Sequence, residues 1–209
     1  MKELLYGTTN PGKLESMRES LSELPFEVIG LLDLKQPIPE ALEEGDTPLF
    51  NARQKALIYY RHYKRPVFSC DSGLYFRNLP KELQPGVHVR RVNGKTLSDE
   101  EMLVYYANLA KEHGDLVAYY QNAICLVMDE NHIFECMDES IQSGAFLLTH
   151  KPHQTVVPGF PLDRISLDIK SKLYFYDLDE TSDEDDDLYK RKGFLNFFRK
   201  VFSMEVEER

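Results

Sequence analysis

Short apolar runs alternate with helix-spaced apolar positions through residues 2–70. That alternation narrows the folds open to this chain more than any other feature. Residues 2–6 (KELLY) form a strand candidate that stops at Gly7. Leu14, Met17, Leu21 and Leu24 then recur at helical spacing, which predicts a helix over residues 13–24. A second strand is expected over residues 26–31, and Pro37 and Pro39 mark a loop. Residues 48–63 carry a long helical pattern, with Pro48 suited to the first turn. Residues 66–70 (PVFSC) read as a short buried strand. Strand and helix in turn predict an α/β fold.

The second half keeps the pattern and adds a hairpin. Residues 98–111 read as a helix, with Ser98 as N-cap and Glu101 three residues on completing a capping box. Residues 117–128 and 133–141 are strand-like and joined through Asp129, Glu130 and Asn131, so the sheet is expected to be mixed. Residues 180–187 (ETSDEDDD) read as a solvated acidic loop. Residues 189–202 read as a basic amphipathic helix, with Phe194, Leu195, Phe197, Phe198, Val201 and Phe202 at helical spacing. Such a stripe most often docks on the core of its own domain; its other use is to bind a membrane surface or a partner groove. No internal repeat and no Gly- or Ser-rich linker interrupts the chain, so a single α/β domain over residues 1–209, with two lobes, is expected.

Composition excludes several classes. The 209 residues carry 25 Lys and Arg against 35 Asp and Glu, a formal net charge of -10. A chain this acidic lacks the basic footprint that nucleic acid requires. A small anionic substrate remains open, because it needs only a local cluster of donors. No stretch approaches the ~18 consecutive apolar residues of a membrane span, and the first residues carry no apolar signal-peptide region. Cys70, Cys125 and Cys136 are odd in number and lie in apolar contexts, which points to a reducing, cytoplasmic compartment.

Four clusters could carry chemistry. Thr8, Thr9, Asn10, Pro11, Gly12 and Lys13 lie between a strand and a helix. Such a loop either presents backbone N–H groups and a lysine to an anion or is an ordinary capped βα turn. Glu43-Glu44-Gly45 could hold a hard cation or be a surface turn, and Asn51 and Lys55 share one helix face four residues apart. Asp71, after the strand at 66–70, is placed as metal ligand or general base; the alternative is a turn through Asp71, Ser72 and Gly73. Phe160 could stack on a base and Asp163 accept its hydrogen bonds, or the segment is a loop with a buried Phe. The histidines have no metal-ligand spacing, and no Ser-His-Asp arrangement can be argued.

Taken in order, TTNPGK, EEGDTPLFNARQKA, CDSGL, PGVHVRR and GFPLDRIS resemble the noncanonical purine nucleoside triphosphate pyrophosphatase family. It is also called the inosine triphosphatase or Ham1-like family, and the similarity covers residues 3–165. The resemblance implies an elongated mixed β-sheet flanked by helices, with two lobes and a nucleotide cleft between them. It also implies a homodimer that uses Mg2+ to cleave a nucleoside triphosphate into the monophosphate and pyrophosphate. Carried over by position, Thr8, Thr9, Asn10 and Lys13 match the first nucleotide-binding loop, and Glu43 with Asp71 the metal ligands. Asn51 and Lys55 match a helix whose Lys faces the phosphates. Ser72 and Gly73 extend the Asp71 motif, Pro85, Gly86 and Arg91 match a Pro-Gly-x-x-x-x-Arg stretch, and Phe160 and Asp163 match a segment facing the base.

Three departures stand out. Cys70 occupies a position where the family usually has an acid. Lys190-Arg191-Lys192-Gly193 is the best counterpart of a Ser-His-Arg motif, so Arg191 and Lys192 keep the positive charge without the His. Pro161 and Arg164 replace a Gly and a Pro. On this resemblance Lys13, Lys55 and Asp71 are the candidate catalytic residues. The alternative is a nucleotide-binding regulatory protein on the same scaffold, with weak or no hydrolysis.

Overall fold

The fold was read from a computed structural model. It describes the backbone of residues 2–41, 44–157, 159–178 and 184–207, and the side chains of these except 2, 184–191 and 204–207. In chain order the first elements are β1 (Lys2–Tyr6), α1 (Pro11–Ser20), β2 (Phe26–Gly30), α2 (Pro48–Tyr63) and β3 (Val67–Phe76). A small hairpin of β4 (Arg91–Val92) and β5 (Lys95–Thr96) follows, then α3 (Asp99–His113), β6 (Leu116–Val127) and β7 (Ile133–Cys136). The chain ends through β8 (Phe146–Leu148), β9 (Ser166–Asp168) and α4 (Glu184–Glu207).

Local chemistry accounts for most boundaries. The Asn10 side chain accepts from the Lys13 N–H and starts α1 with Pro11 in its first turn. Thr47 does the same for Phe50, and α2 spans the expected Pro48–Tyr63. Ser98 and Glu101 form the expected capping box on α3. Helix α1 is shorter than expected. The Leu21 N–H closes on the Met17 carbonyl and ends it at Ser20, and Leu21 and Leu24 reach the core from the turn beyond. The strand expected over 133–141 stops at Cys136, because Asp138 caps a 3-10 turn at Glu139–Ile141. The β4–β5 hairpin turns on Asn93 and Gly94, both at positive φ (50° and 78°), which is the Asn-Gly signature of a two-residue hairpin.

The most consequential correction concerns β3. It does not stop near Cys70 but runs on through Asp71, Ser72 and Gly73 to Phe76, so Asp71 lies mid-strand and no turn forms there. The Leu74 N–H bonds the Gly86 carbonyl at 2.9 Å, and the Gly86 N–H returns a bond to Leu74 at 3.0 Å. A side chain at Gly73 would stand 3.0 Å from the Gly86 backbone. Glycine in the strand interior therefore marks a close backbone approach.

The sheet is mixed, as expected. β1 pairs in parallel with β2 and β3, whereas β6 runs antiparallel to β7 and β8, and β8 to β9. The strand order is β2-β1-β3-β6-β8-β9, with β7 also on β6. The chain divides into two compact units. The first holds residues 1–72, 121–142 and 188–209, and the second holds 73–120 and 143–187. Each has its own core. In the first unit α1 and α4 cover one face of the strands, around Leu4, Tyr6, Phe68, Ile124 and Leu126. The other face packs Leu5 and Val67 with Tyr59 of α2, and Ala123 and Cys125 with Ala52 and Ala56. The second unit is built on Leu74, Tyr106, Leu116, Leu148 and Ile165.

Helix α4 settles the two uses of the aromatic stripe. Phe194, Leu195, Phe198 and Val201 are buried, and the Phe198 ring meets Phe68 edge-on at 5.1 Å. The stripe docks on the core of its own unit. Among the described residues no helix is long and apolar enough to cross a membrane. α4 also begins inside the acidic run, so residues 184–187 are helical rather than loop, while 180–183 fall outside the described residues.

Gly193 sets how closely α4 seats. A Cβ at this position would stand 1.8 Å from the Ser140 carbonyl oxygen. Gly193→Ala gains about 1 kcal/mol of helix propensity but overpacks a backbone contact at a cost of about 3 kcal/mol. Packing wins, so the melting temperature is expected to fall by roughly 4–8 °C. A thermal melt showing a gain instead would mean that this contact is absent.

Candidate active site

The first unit gathers the chemistry-bearing residues around β3. Gly7 follows β1, and its N–H donates to the Phe68 carbonyl at 2.7 Å, which fixes the start of the loop against β3. Within the loop the Asn10 N–H donates to Thr8 Oγ1 and the Lys13 N–H to Asn10 Oδ1, both at 3.2 Å. The capped-turn reading is thus realised. It leaves Thr9, Asn10 and Lys13 exposed at a helix N-terminus, where an anion is favoured.

The same unit holds a buried ion pair. Lys55 Nζ donates to Asp71 Oδ1 at 3.0 Å, and Asn51 Nδ2 donates to Asp71 Oδ2 at 3.1 Å. Asn51, Lys55 and Asp71 are 2%, 8% and 7% exposed. Residues 51 and 55 face β3 together because they lie one helical turn apart. The Asn51 amide is also used on its other side, where Oδ1 accepts from the Gly45 N–H at 2.9 Å. Of the two adjacent carboxylates, Glu44 is exposed and Glu43 lies outside the described residues.

Strand alternation separates Asp71 from its neighbours. Asp71 faces α2, while Cys70 packs with the cluster under α1 and α4. Burial pushes the Cys70 thiol up to about 12, although Tyr6, Lys13 and Lys55 all pull it down. It is therefore neutral at pH 7 and supplies no carboxylate-like charge. The Tyr6 hydroxyl, hydrogen-bonded to this thiol, is held well above the ordinary tyrosine range, chiefly by burial. Ser72 Oγ donates to Asn122 Oδ1 at 2.7 Å, and Asn122 Nδ2 donates to the Ile141 carbonyl at 2.7 Å. Sequence reasoning missed Asn122. Its signal was an amide beside the wholly buried run Ala123–Val127, where a polar group must find partners.

Phe160 and Asp163 belong to the second unit, at the 3-10 turn Pro161–Ile165. Phe160 is 49% exposed, so it is not a buried loop anchor. Burial raises the Asp163 carboxyl above the ordinary carboxylate range. Arg164 Nε donates to the His153 carbonyl at 3.1 Å, a structural use. Gly73 and Gly86 form the backbone contact described above. Lys192 is exposed on α4, and the Arg191 side chain lies outside the described residues. The structure thus brings Asn51, Lys55 and Asp71 into direct contact, and sets Thr8, Asn10 and Lys13 in one turn.

Among the described residues no three His, Cys, Asp or Glu side chains converge, which does not suit zinc. Asp71 offers a hard carboxylate whose two oxygens each take one hydrogen bond here, leaving lone pairs over. One carboxylate supplemented by substrate phosphates is the usual way to hold Mg2+, so the residues fit that ion.

The sequence pattern of the Ham1 family matches residues 4–145, more than half of the chain. The chain belongs to the Ham1 family. A dITP/XTP pyrophosphatase of Porphyromonas gingivalis is 32% identical over 139 residues, covering 65% of this chain and 69% of that protein. The corresponding protein of Anaeromyxobacter dehalogenans is 39% identical over 89 residues, covering 43% of this chain but only 37% of its own length. The Coxiella burnetii HAM1 structure superposes with a TM-score of 0.73 at 22% identity, covering 99% of this chain and 100% of that one. The Staphylococcus aureus Ham1 structure gives 0.72 at 21%, covering 98% and 100%. These likenesses establish the fold of this Ham1 member as a central mixed sheet flanked by helices. Three of the four candidate clusters fall inside the matched stretch 4–145; Phe160 and Asp163, like the α4 cations, lie beyond it.

Proposed function

We propose that this Ham1 family member hydrolyses noncanonical purine nucleoside triphosphates, namely the inosine, deoxyinosine or xanthosine forms, to the monophosphate and pyrophosphate. The observation that carries the reading is the buried Asp71 carboxylate, held at both oxygens by Asn51 and Lys55, in the same unit as a loop suited to phosphate. Relatives at 39% and 32% identity are dITP/XTP pyrophosphatases.

A triphosphate carries several negative charges, and its cleavage needs positioning and neutralisation more than covalent chemistry. Lys13, Lys55 and either Arg191 or Lys192 would neutralise the phosphates. Glu43 and Asp71 would hold Mg2+, which when bound supplies charge neutralisation and a more acidic water. Asp71 orients the attacking water and accepts its proton; the water oxygen bonds to the α-phosphorus and pyrophosphate leaves. Thr8, Thr9, Asn10, Ser72 and Gly73 would line the nucleotide site, and Phe160 and Asp163 would face the base. A donor aimed at the 6-oxo group accepts inosine and xanthosine and rejects adenosine, whose 6-amino group would meet it donor to donor. The three free cysteines support a cytoplasmic setting, and a homodimer is the proposed assembly.

A second reading, a nucleotide sensor with weak hydrolysis, is favoured by one observation: Cys70 is a neutral thiol where the family usually has an acid. Pyrophosphate release, measured with and without Mg2+ at pH 7 and pH 9, separates the two. Release from inosine, deoxyinosine and xanthosine triphosphates at least tenfold faster than from the standard ones is expected. Binding without release from any triphosphate would select the sensor.

A further inference from the structure

Both polar atoms of the Asn51 side chain are engaged within the protein, and its burial withholds the second amide hydrogen from an incoming phosphate. Its amide nitrogen donates to Asp71 Oδ2, its oxygen accepts from the Gly45 N–H, and it is 2% exposed. The same amide thus joins three parts of the chain: α2, the middle of β3, and the loop that follows Glu43 and Glu44. Gly45 is suited to this join. A side chain there would stand 2.7 Å from Asn51 Oδ1 and 2.2 Å from the Phe50 ring. Lys55 holds the other carboxylate oxygen, so the plane of the Asp71 carboxylate is set by two donors from one helix face. A carboxylate pinned at both oxygens cannot rotate without breaking a buried hydrogen bond.

We propose that Asn51 is a positioning residue: it sets the orientation of the Asp71 carboxylate and ties it to the Glu44-Gly45 loop, and it does not contact the nucleotide. The inference rests on the hydrolytic reading above for its kinetic consequence, and on the geometry alone for its structural one. A small misplacement of a reacting group lowers turnover by about 10–100-fold without weakening binding.

Asn51→Ala and Asn51→Asp are the test. The aspartate keeps an acceptor for the Gly45 N–H but cannot donate to Asp71. Both variants are expected to lose about 10–100-fold in kcat with KM within about twofold, measured on folded protein well below the melting point. In an Asp71→Asn background, Asn51→Ala should cause no further loss, because its effect passes through the carboxylate. A rise in KM with kcat retained would make Asn51 a nucleotide contact and overturn the proposal, as would losses that simply add in the double variant. If the wild-type chain releases no pyrophosphate, the hydrolytic reading falls, and the positioning role is decided by proton exchange at the Asn51 side-chain amide. Exchange at least tenfold faster in Asp71→Ala than in wild type supports the join, and equal exchange overturns it.

Discussion

Asp71→Asn is expected to lower pyrophosphate release by about 10²–10⁴-fold, the range for loss of a positioned general base, while nucleotide affinity stays within about threefold. The substitution preserves size but removes the charge and one of the two acceptors. Asn51 and Lys55 both donate to Asp71, and an amide offers them one acceptor oxygen in place of two. Lys55 then loses its buried counter-charge, and breaking such a pair costs about 3–5 kcal/mol. The variant will therefore melt lower as well, and kinetics must be read where circular dichroism shows it folded. Affinity measured by calorimetry separates a chemical loss from a binding loss. Turnover equal to wild type would remove Asp71 from the reaction.

Lys55→Met is expected to injure both folding and binding. It leaves the Asp71 carboxylate buried at 7% exposure with only Asn51 donating among the contacts described above. Removing one partner of a buried pair costs about 3–5 kcal/mol, far more than the pair itself contributes net. Pairing Lys55→Met with Asp71→Asn should recover a good part of that stability, because the stranded charge disappears with its partner. If the single and the double variant melt at the same temperature, the ion pair does not govern stability here. If Lys55 neutralises the phosphates as proposed, its removal should also raise KM at least tenfold in Lys55→Met, an effect the double variant retains. The two readouts thus divide the stabilising role of the pair from the binding role of the ammonium.

These expectations depend on contacts that are only partly legible in the chain. The helix-cap signals were legible: Ser98 with Glu101, and Pro48 in the first turn of α2. Such signals act within a few residues, so neither depends on the rest of the fold. The hairpin turn through Asp129 was legible for the same reason, since its carboxylate accepts from the N–H groups of Asn131 and His132. The shared face of Asn51 and Lys55 followed from helical geometry alone. The end of β3 was not legible. Asp71-Ser72-Gly73 has turn composition, but its backbone is drawn on as strand by pairing between Leu74 and Gly86. The loop at Gly45 was visible as a motif, but nothing local showed that its N–H would be satisfied by Asn51.

By itself the sequence determined most of the element types, the mixed character of the sheet and the residue types at the site, because periodicity and capping are short-range properties of the chain. The tertiary structure alone decided three other matters. It turned the Asn51 amide to Asp71, across a separation of 20 residues. It placed Cys70 on the face opposite Asp71, where burial keeps the thiol neutral. It also seated α4 on the first unit's core through Gly193 and Ser140. Each of these depends on which distant groups exclude water from one another, and that is a property of packing rather than of neighbouring residues.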